Sequence, residues 1–119
     1  MKISQMNQLL VLQKALMFVK FATDDVEARH LAASPITGEL LQNINEALHE
    51  YYDQKGIRHN ADYGSIEDFP HYLEAVTKHI ATIDNWHSYD EHTQKEIIIS
   101  LCLPYKIQEY TLNTLTDKK

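Results

Sequence analysis

The stretch Leu9–Ala22 (LLVLQKALMFVKFA) constrains this chain more than any other, because eleven of its fourteen residues are apolar. On a helical wheel they reach almost all the way round, interrupted only by Gln13, Lys14 and Lys20. A helix greasy over most of its circumference has to be surrounded by partners. The remaining periodic segments carry one apolar face each, which suits elements packed around such an axle. The expectation is an all-α fold: a single-domain helical bundle of about five to six helices around a central apolar N-terminal helix, spanning residues 1–119.

A chain of 119 residues can bury a core without metal or disulfide staples. Three glycines and three prolines leave few turns and favour long helices. The single cysteine, Cys102, excludes an internal disulfide framework and suits a reducing compartment. Met1-Lys2 is followed by polar residues, no small-residue cleavage site follows the first apolar run, and Lys14 and Lys20 break that run. A cytoplasmic protein without membrane association is expected.

The net charge of −6 is localised. Between His30 and Thr77 lie Glu39, Glu46, Glu50, Asp53, Asp62, Glu67, Asp68 and Glu74 against only Lys55 and Arg58, while acids and bases balance in the rest of the chain. Such a surface repels phosphate backbones, so direct binding of nucleic acid is disfavoured.

Taken in order, the first helix is expected from Ser4, a candidate N-cap, to Ala22. A short second helix runs from Asp25 to Ala33, with Val26 and Leu31 on its apolar side. Ser34-Pro35 ends it and opens a third helix, for which Thr37-Gly38 is an equally legible start. This helix closes near Gln54 on Lys55-Gly56, the glycine suiting a left-handed position. Leu40, Leu41, Ile44, Ala47, Leu48 and Tyr51 form its apolar side, with Tyr52 at the margin. Residues 57–68 read as the longest connection. A fourth helix comes next, with Pro70 in its first turn and Tyr72, Leu73, Val76, Ile80 and Ile83 inward. Asp84-Asn85 breaks it and Trp86 folds back on the core. Ser88-Tyr89-Asp90-Glu91 has the form of a capping box for a fifth helix. The run Ile97–Leu103 could form a buried strand, but the preceding cap and the lack of a second strand favour helix. Pro104 stops it, and a weaker helix covers Lys106–Leu115.

Seven histidines raise the question of a metal. Glu27-x-x-His30 and Glu46-x-x-His49 match the spacing used in di-iron bundles. Glu46 and His49, however, lie roughly 130–170° from the apolar centre of their helix at about 100° per residue, whereas a bundle ligand points inward. Solvated histidines and no metal are expected. Cys102 sits in the most apolar part of its helix with no base beside it, the setting of an inert thiol. There is no glycine-flanked serine elbow, and Gly38, Gly56 and Gly64 are too scattered to cradle a phosphate. No catalytic residue, enzyme activity or cofactor is expected.

The strongest functional pattern is the acidic side of the third helix together with the connection after it: Glu39, Glu46, Glu50, Tyr52, Asp53, Asp62, Tyr63, Glu67 and Asp68. Tyrosines among carboxylates combine flat anchors with steering charge, the ingredients of a surface for a basic protein partner. The same residues also suit an ordinary solvated face. The expected function is a protein–protein interaction module binding a basic partner through residues 39–68, in the manner of an inhibitor or immunity-type protein. That likeness is one of size and charge, carried by no motif. The alternative is a helical homo-oligomerisation or scaffold module, a homodimer for instance, burying surplus apolar surface of the first helix or of Ile97–Leu103. The histidines suggest an acid response as well, since protonating all seven takes the formal charge from −6 to +1.

Overall fold

The computed structural model describes residues 6–60 and 62–116. They form six α-helices: α1 (Met6–Phe21), α2 (Val26–Ala33), α3 (Pro35–Gln54), α4 (Pro70–Ala81), α5 (Glu91–Cys102) and α6 (Glu109–Leu115). Short 3-10 turns occupy Ile66–Asp68 and Trp86–Ser88. Among the described residues there is no β-strand, only an isolated parallel bridge between Ser65 and Lys106. The all-helical bundle is therefore the fold, and Ile97–Cys102 is helix. No helix of the described residues is long and apolar enough to cross a membrane.

Local chemistry accounts for most boundaries. The Asp25 carboxylate accepts the Glu27 amide at 2.8 Å and opens α2. Ser34 ends α2 and starts α3 at one residue: its N–H donates to the Leu31 carbonyl and its hydroxyl accepts the Ile36 amide, with Pro35 at the first helical position. Gly56 follows α3 with φ of 70°, a conformation that favours glycine. The Thr37-Gly38 start is not used. Gly38 lies inside α3 and buried, where an added Cβ would stand 2.4 Å from the Leu103 Cβ, so a bare backbone is what lets α3 meet the end of α5. Ser4, the expected cap of α1, lies outside the described residues.

Two boundaries differ from expectation. Asn85 adopts φ of 62° and the chain makes a 3-10 turn through Ser88, whose hydroxyl donates to the Asn85 carbonyl. The capping box is thereby displaced, and the cap of α5 is Asp90, which accepts the Thr93 amide at 2.7 Å. Further on, Lys106 donates its N–H to the Gly64 carbonyl and its carbonyl accepts the Ile66 amide. With its backbone committed to residues 64–66, Lys106 cannot begin a helix, and α6 starts at Glu109.

The core falls into two clusters. The larger gathers Phe21, Ile66, Val76, Ile80, Trp86, Ile98, Leu101, Cys102 and Tyr105, with Met17 packed against it. The smaller joins Leu9 of α1 to Ile44 and Leu48 of α3, with Met6, Leu10, Leu12 and Leu16 around them. α1 thus belongs to both, its N-terminal part lying on α3 and its C-terminal part reaching α2 and α4. It is not, however, enclosed. Val11 is 70% and Phe18 56% exposed on a face that also carries Lys14 and Ala15. Gln13 and Lys20, expected as polar breaks in a greasy surface, lie near the middle of the inward side instead. The most deeply buried helix is α5, packed against α2, α3, α4 and α6 with Ile98 and Cys102 wholly covered.

Candidate interaction surface

α3 divides cleanly into two sides: Leu41, Ile44, Asn45 and Leu48 are buried, while Glu39, Glu46, Glu50 and Asp53 are all exposed. At about 100° per residue the four carboxylates share an arc of roughly 60° on the side away from the core. No lysine or arginine occurs on the helix. Gln42 Nε2 reaches the Glu46 carboxylate at 3.4 Å, an exposed contact along the stripe.

One expected inward residue of this helix turns out to face solvent. Leu40 is 46% exposed, and Ile36 one turn earlier is 64% exposed. With the half-buried Ala47 and Tyr51 they form an apolar strip along one edge of the carboxylates. The signal for Leu40 lay in the wheel, since it stands about 100° from Leu41, which faces the core. Val26 and Leu31 of α2 are likewise exposed, because α2 meets the bundle through Ala32.

Beyond α3 the expected site residues divide. Asp68 is exposed. Asp62 is exposed but occupied: it accepts the Gly64 amide at 2.9 Å and pairs with Lys106 at 2.9 Å. The Gly64 amide and then the lysine hold its carboxyl below the usual range. Tyr63 is half-buried, its hydroxyl donating to the Leu41 carbonyl at 2.9 Å and accepting from Gln13 Nε2 at 2.7 Å. Burial pushes this phenol up, against the Gln13 hydrogen bond. Its ring meets Tyr105 edge-on at 5.5 Å. Glu67 accepts the Gln108 amide at 2.8 Å. Burial alone would raise its carboxyl, but hydrogen bonds from Thr111 and Gln108 outweigh that and lower it. Asp62, Tyr63 and Glu67 thus fasten the 57–68 connection to the rest of the fold.

Tyr52 packs against the smaller core and lies 4.8 Å from the His59 ring. His49, expected among the solvated histidines, is half-buried and its Nδ1 stands 3.4 Å from Nδ1 of His59. Burial and the neighbouring His49 both push His59 below its ordinary value. Glu27, His30 and Glu46 are exposed. Among the described residues no group of three His, Cys, Asp or Glu side chains is placed to hold a metal ion. Cys102 is buried, and burial raises its thiol to about 12, which keeps it protonated.

The surface is therefore an exposed acidic stripe on α3, bordered by apolar side chains and backed by a pinned connection. No protein-family model matches the chain, and no curated protein or solved structure shows significant similarity to it.

Proposed function

We propose that this protein is a protein–protein interaction module that receives a basic partner on the outward side of α3. The observation that carries the reading is the juxtaposition of Glu39, Glu46, Glu50 and Asp53 with the exposed Ile36 and Leu40 on one helix. Charge speeds and orients encounter, and apolar contacts hold the complex once water is displaced. A partner helix or loop bearing lysines or arginines beside apolar residues complements both. Blocking such a surface on a basic nucleic-acid enzyme would make the protein an inhibitor or immunity factor. The lone buried Cys102 fits a reducing cytoplasm as the place of action.

The test compares wild type with the E46K/E50K/D53K variant, first in capture from native cell extract and then in association kinetics with the captured partner. The expected result is an association rate at least tenfold lower in the variant, with a steep decrease in the wild-type rate as salt is added. Circular dichroism of the variant stays helical, because all three side chains are exposed. Equal rates for the two proteins overturn the reading.

A second reading rests on α1. Val11, Ala15 and Phe18 lie on its open side, an apolar strip of the kind that two copies bury between them.

A further inference from the structure

A cleft of about 290 Å³ opens between α1, α2 and α4, on residues outside the acidic stripe of α3. Its walls bring together Lys20 from α1, Arg29 from α2, and His71, Lys78 and His79 from α4. Two carboxylates share it: Glu74, which pairs with Lys78 at 3.1 Å, and Asp24, which is exposed. Arg29 is half-buried and forms no ion pair among the described residues. Lys20 is 7% exposed, and its ammonium donates to the Ala32 carbonyl at 2.9 Å and the Ser100 carbonyl at 3.0 Å. An ammonium has three donors, and these two bonds leave one over. With Lys20, Arg29 and Lys78 against Asp24 and Glu74, the cleft is formally +1 with its histidines neutral, in a chain of net charge −6.

We propose that this cleft binds the phosphate group of a small molecule, seated among Lys20, Arg29 and His79. A phosphate presents several acceptor oxygens and up to two charges, which suits donors converging from three helices better than a single carboxylate does. Arginine matches phosphate oxygens in a bidentate fork, and histidine adds a proton when an anion arrives. The volume admits a phosphate with a small organic remainder, and the acidic surface elsewhere disfavours a nucleic-acid chain. His79 is half-buried and faces Lys20, Arg29 and His30 from the neighbouring helices, with Asp24 at the rim and His71, Glu74 and Lys78 on its own helix. Burial first, and then the charges of Arg29, Lys20 and His30, lower its affinity for a proton. A bound phosphate reverses that balance, so occupancy and protonation of His79 are linked.

The experiment tracks the histidine Cε1–H resonances of the full chain by NMR during titration with sodium phosphate, with glycerol phosphate, and with sodium chloride at matched ionic strength. The expected result is millimolar or tighter binding of phosphate and a rise of one unit or more in the His79 pKa, equivalent to tenfold tighter binding to the protonated form. R29Q weakens binding at least tenfold, H79N removes the part of the pH dependence that follows the His79 titration, and the E46K/E50K/D53K variant binds as wild type does. Tighter binding of glycerol phosphate assigns an ester, and equal or weaker binding than inorganic phosphate assigns the free ion. A His79 response no larger than that to chloride, or unchanged affinity in R29Q, overturns the proposal. Arg29 and His79 are chosen because neither closes the core, whereas Lys20 holds two helix ends.

Discussion

Lys20 and Gln13 occupy the inward side of a helix that is otherwise nearly all apolar, and each is there to satisfy a backbone or side-chain partner. Ala32 and Ser100 lie in the last turns of α2 and α5, whose final carbonyls have no helical donor of their own. The Lys20 ammonium supplies hydrogen bonds to both, at the negative ends of two helix dipoles. Burial lowers its pKa from 10.5 to about 8. Between those values the unfolded chain binds more protons than the folded one, so the Lys20 contribution makes stability rise with pH. From about pH 8 upward Cys102 works the other way and more weakly, since its thiol ionises near 9 when unfolded and near 12 when folded. Urea unfolding at pH 7.5, 8.0, 8.5 and 9.0 should therefore show an upward slope in wild type that is absent in Lys20→Met, and an unchanged slope contradicts the assignment. Gln13 does the equivalent service for Tyr63, a residue whose hydroxyl is engaged inside the fold rather than offered to a partner.

At the scale of elements, cap identity discriminates between two readings of the start of α5. Asp90→Ala should cost about 1 kcal/mol by losing the bond to the Thr93 amide, whereas Ser88→Ala should stay within about 0.5 kcal/mol because its hydroxyl serves only an exposed turn. Denaturant midpoints of the two variants give the answer, and a larger loss for Ser88→Ala would return the cap to that residue. Legibility in the sequence divides along the same line between near and distant partners. Ser34-Pro35, Asp25 and Lys55-Gly56 act through backbone chemistry within a few residues of themselves, and the boundaries they mark are found in place. The helical state of Ile97–Cys102 was legible too, because a strand needs a neighbour that the chain does not provide. The surroundings of α1 were not. Hydropathy counts how apolar a helix is, but Val11 and Phe18 outward with Gln13 and Lys20 inward depend on carbonyls of residues 32 and 100 and the phenol of residue 63. The candidate surface divides for the same reason. Exposure of the four α3 carboxylates stems from their opposition to Leu41 and Leu48, whereas the engagement of Asp62, Tyr63 and Glu67 depends on Lys106, Gln13 and Gln108, far away in the chain.

The molecule as a whole measures 49 × 29 × 22 Å, longer than it is wide. Its two apolar clusters hold different partners for α1, and the open side of that helix is where a second copy would lie if the protein self-associates. Sedimentation velocity distinguishes the two readings of function at this scale. A dimer that Phe18→Glu converts to monomer supports association through α1, and a concentration-independent monomer leaves the α3 surface to a different protein. The acidic stripe and the basic cleft also sit on different helices, α3 for one and chiefly α1, α2 and α4 for the other. Occupants of opposite charge can therefore be tested one at a time by changing residues that the other does not use.

One helix shared between two clusters has a thermodynamic consequence. Releasing α1 from Ile44 and Leu48 loosens the same rod that carries Phe21 into the larger cluster, so loss of one cluster weakens the other. Heat or denaturant is therefore expected to meet one cooperative transition, with probes at the two ends of the elongated body giving the same midpoint.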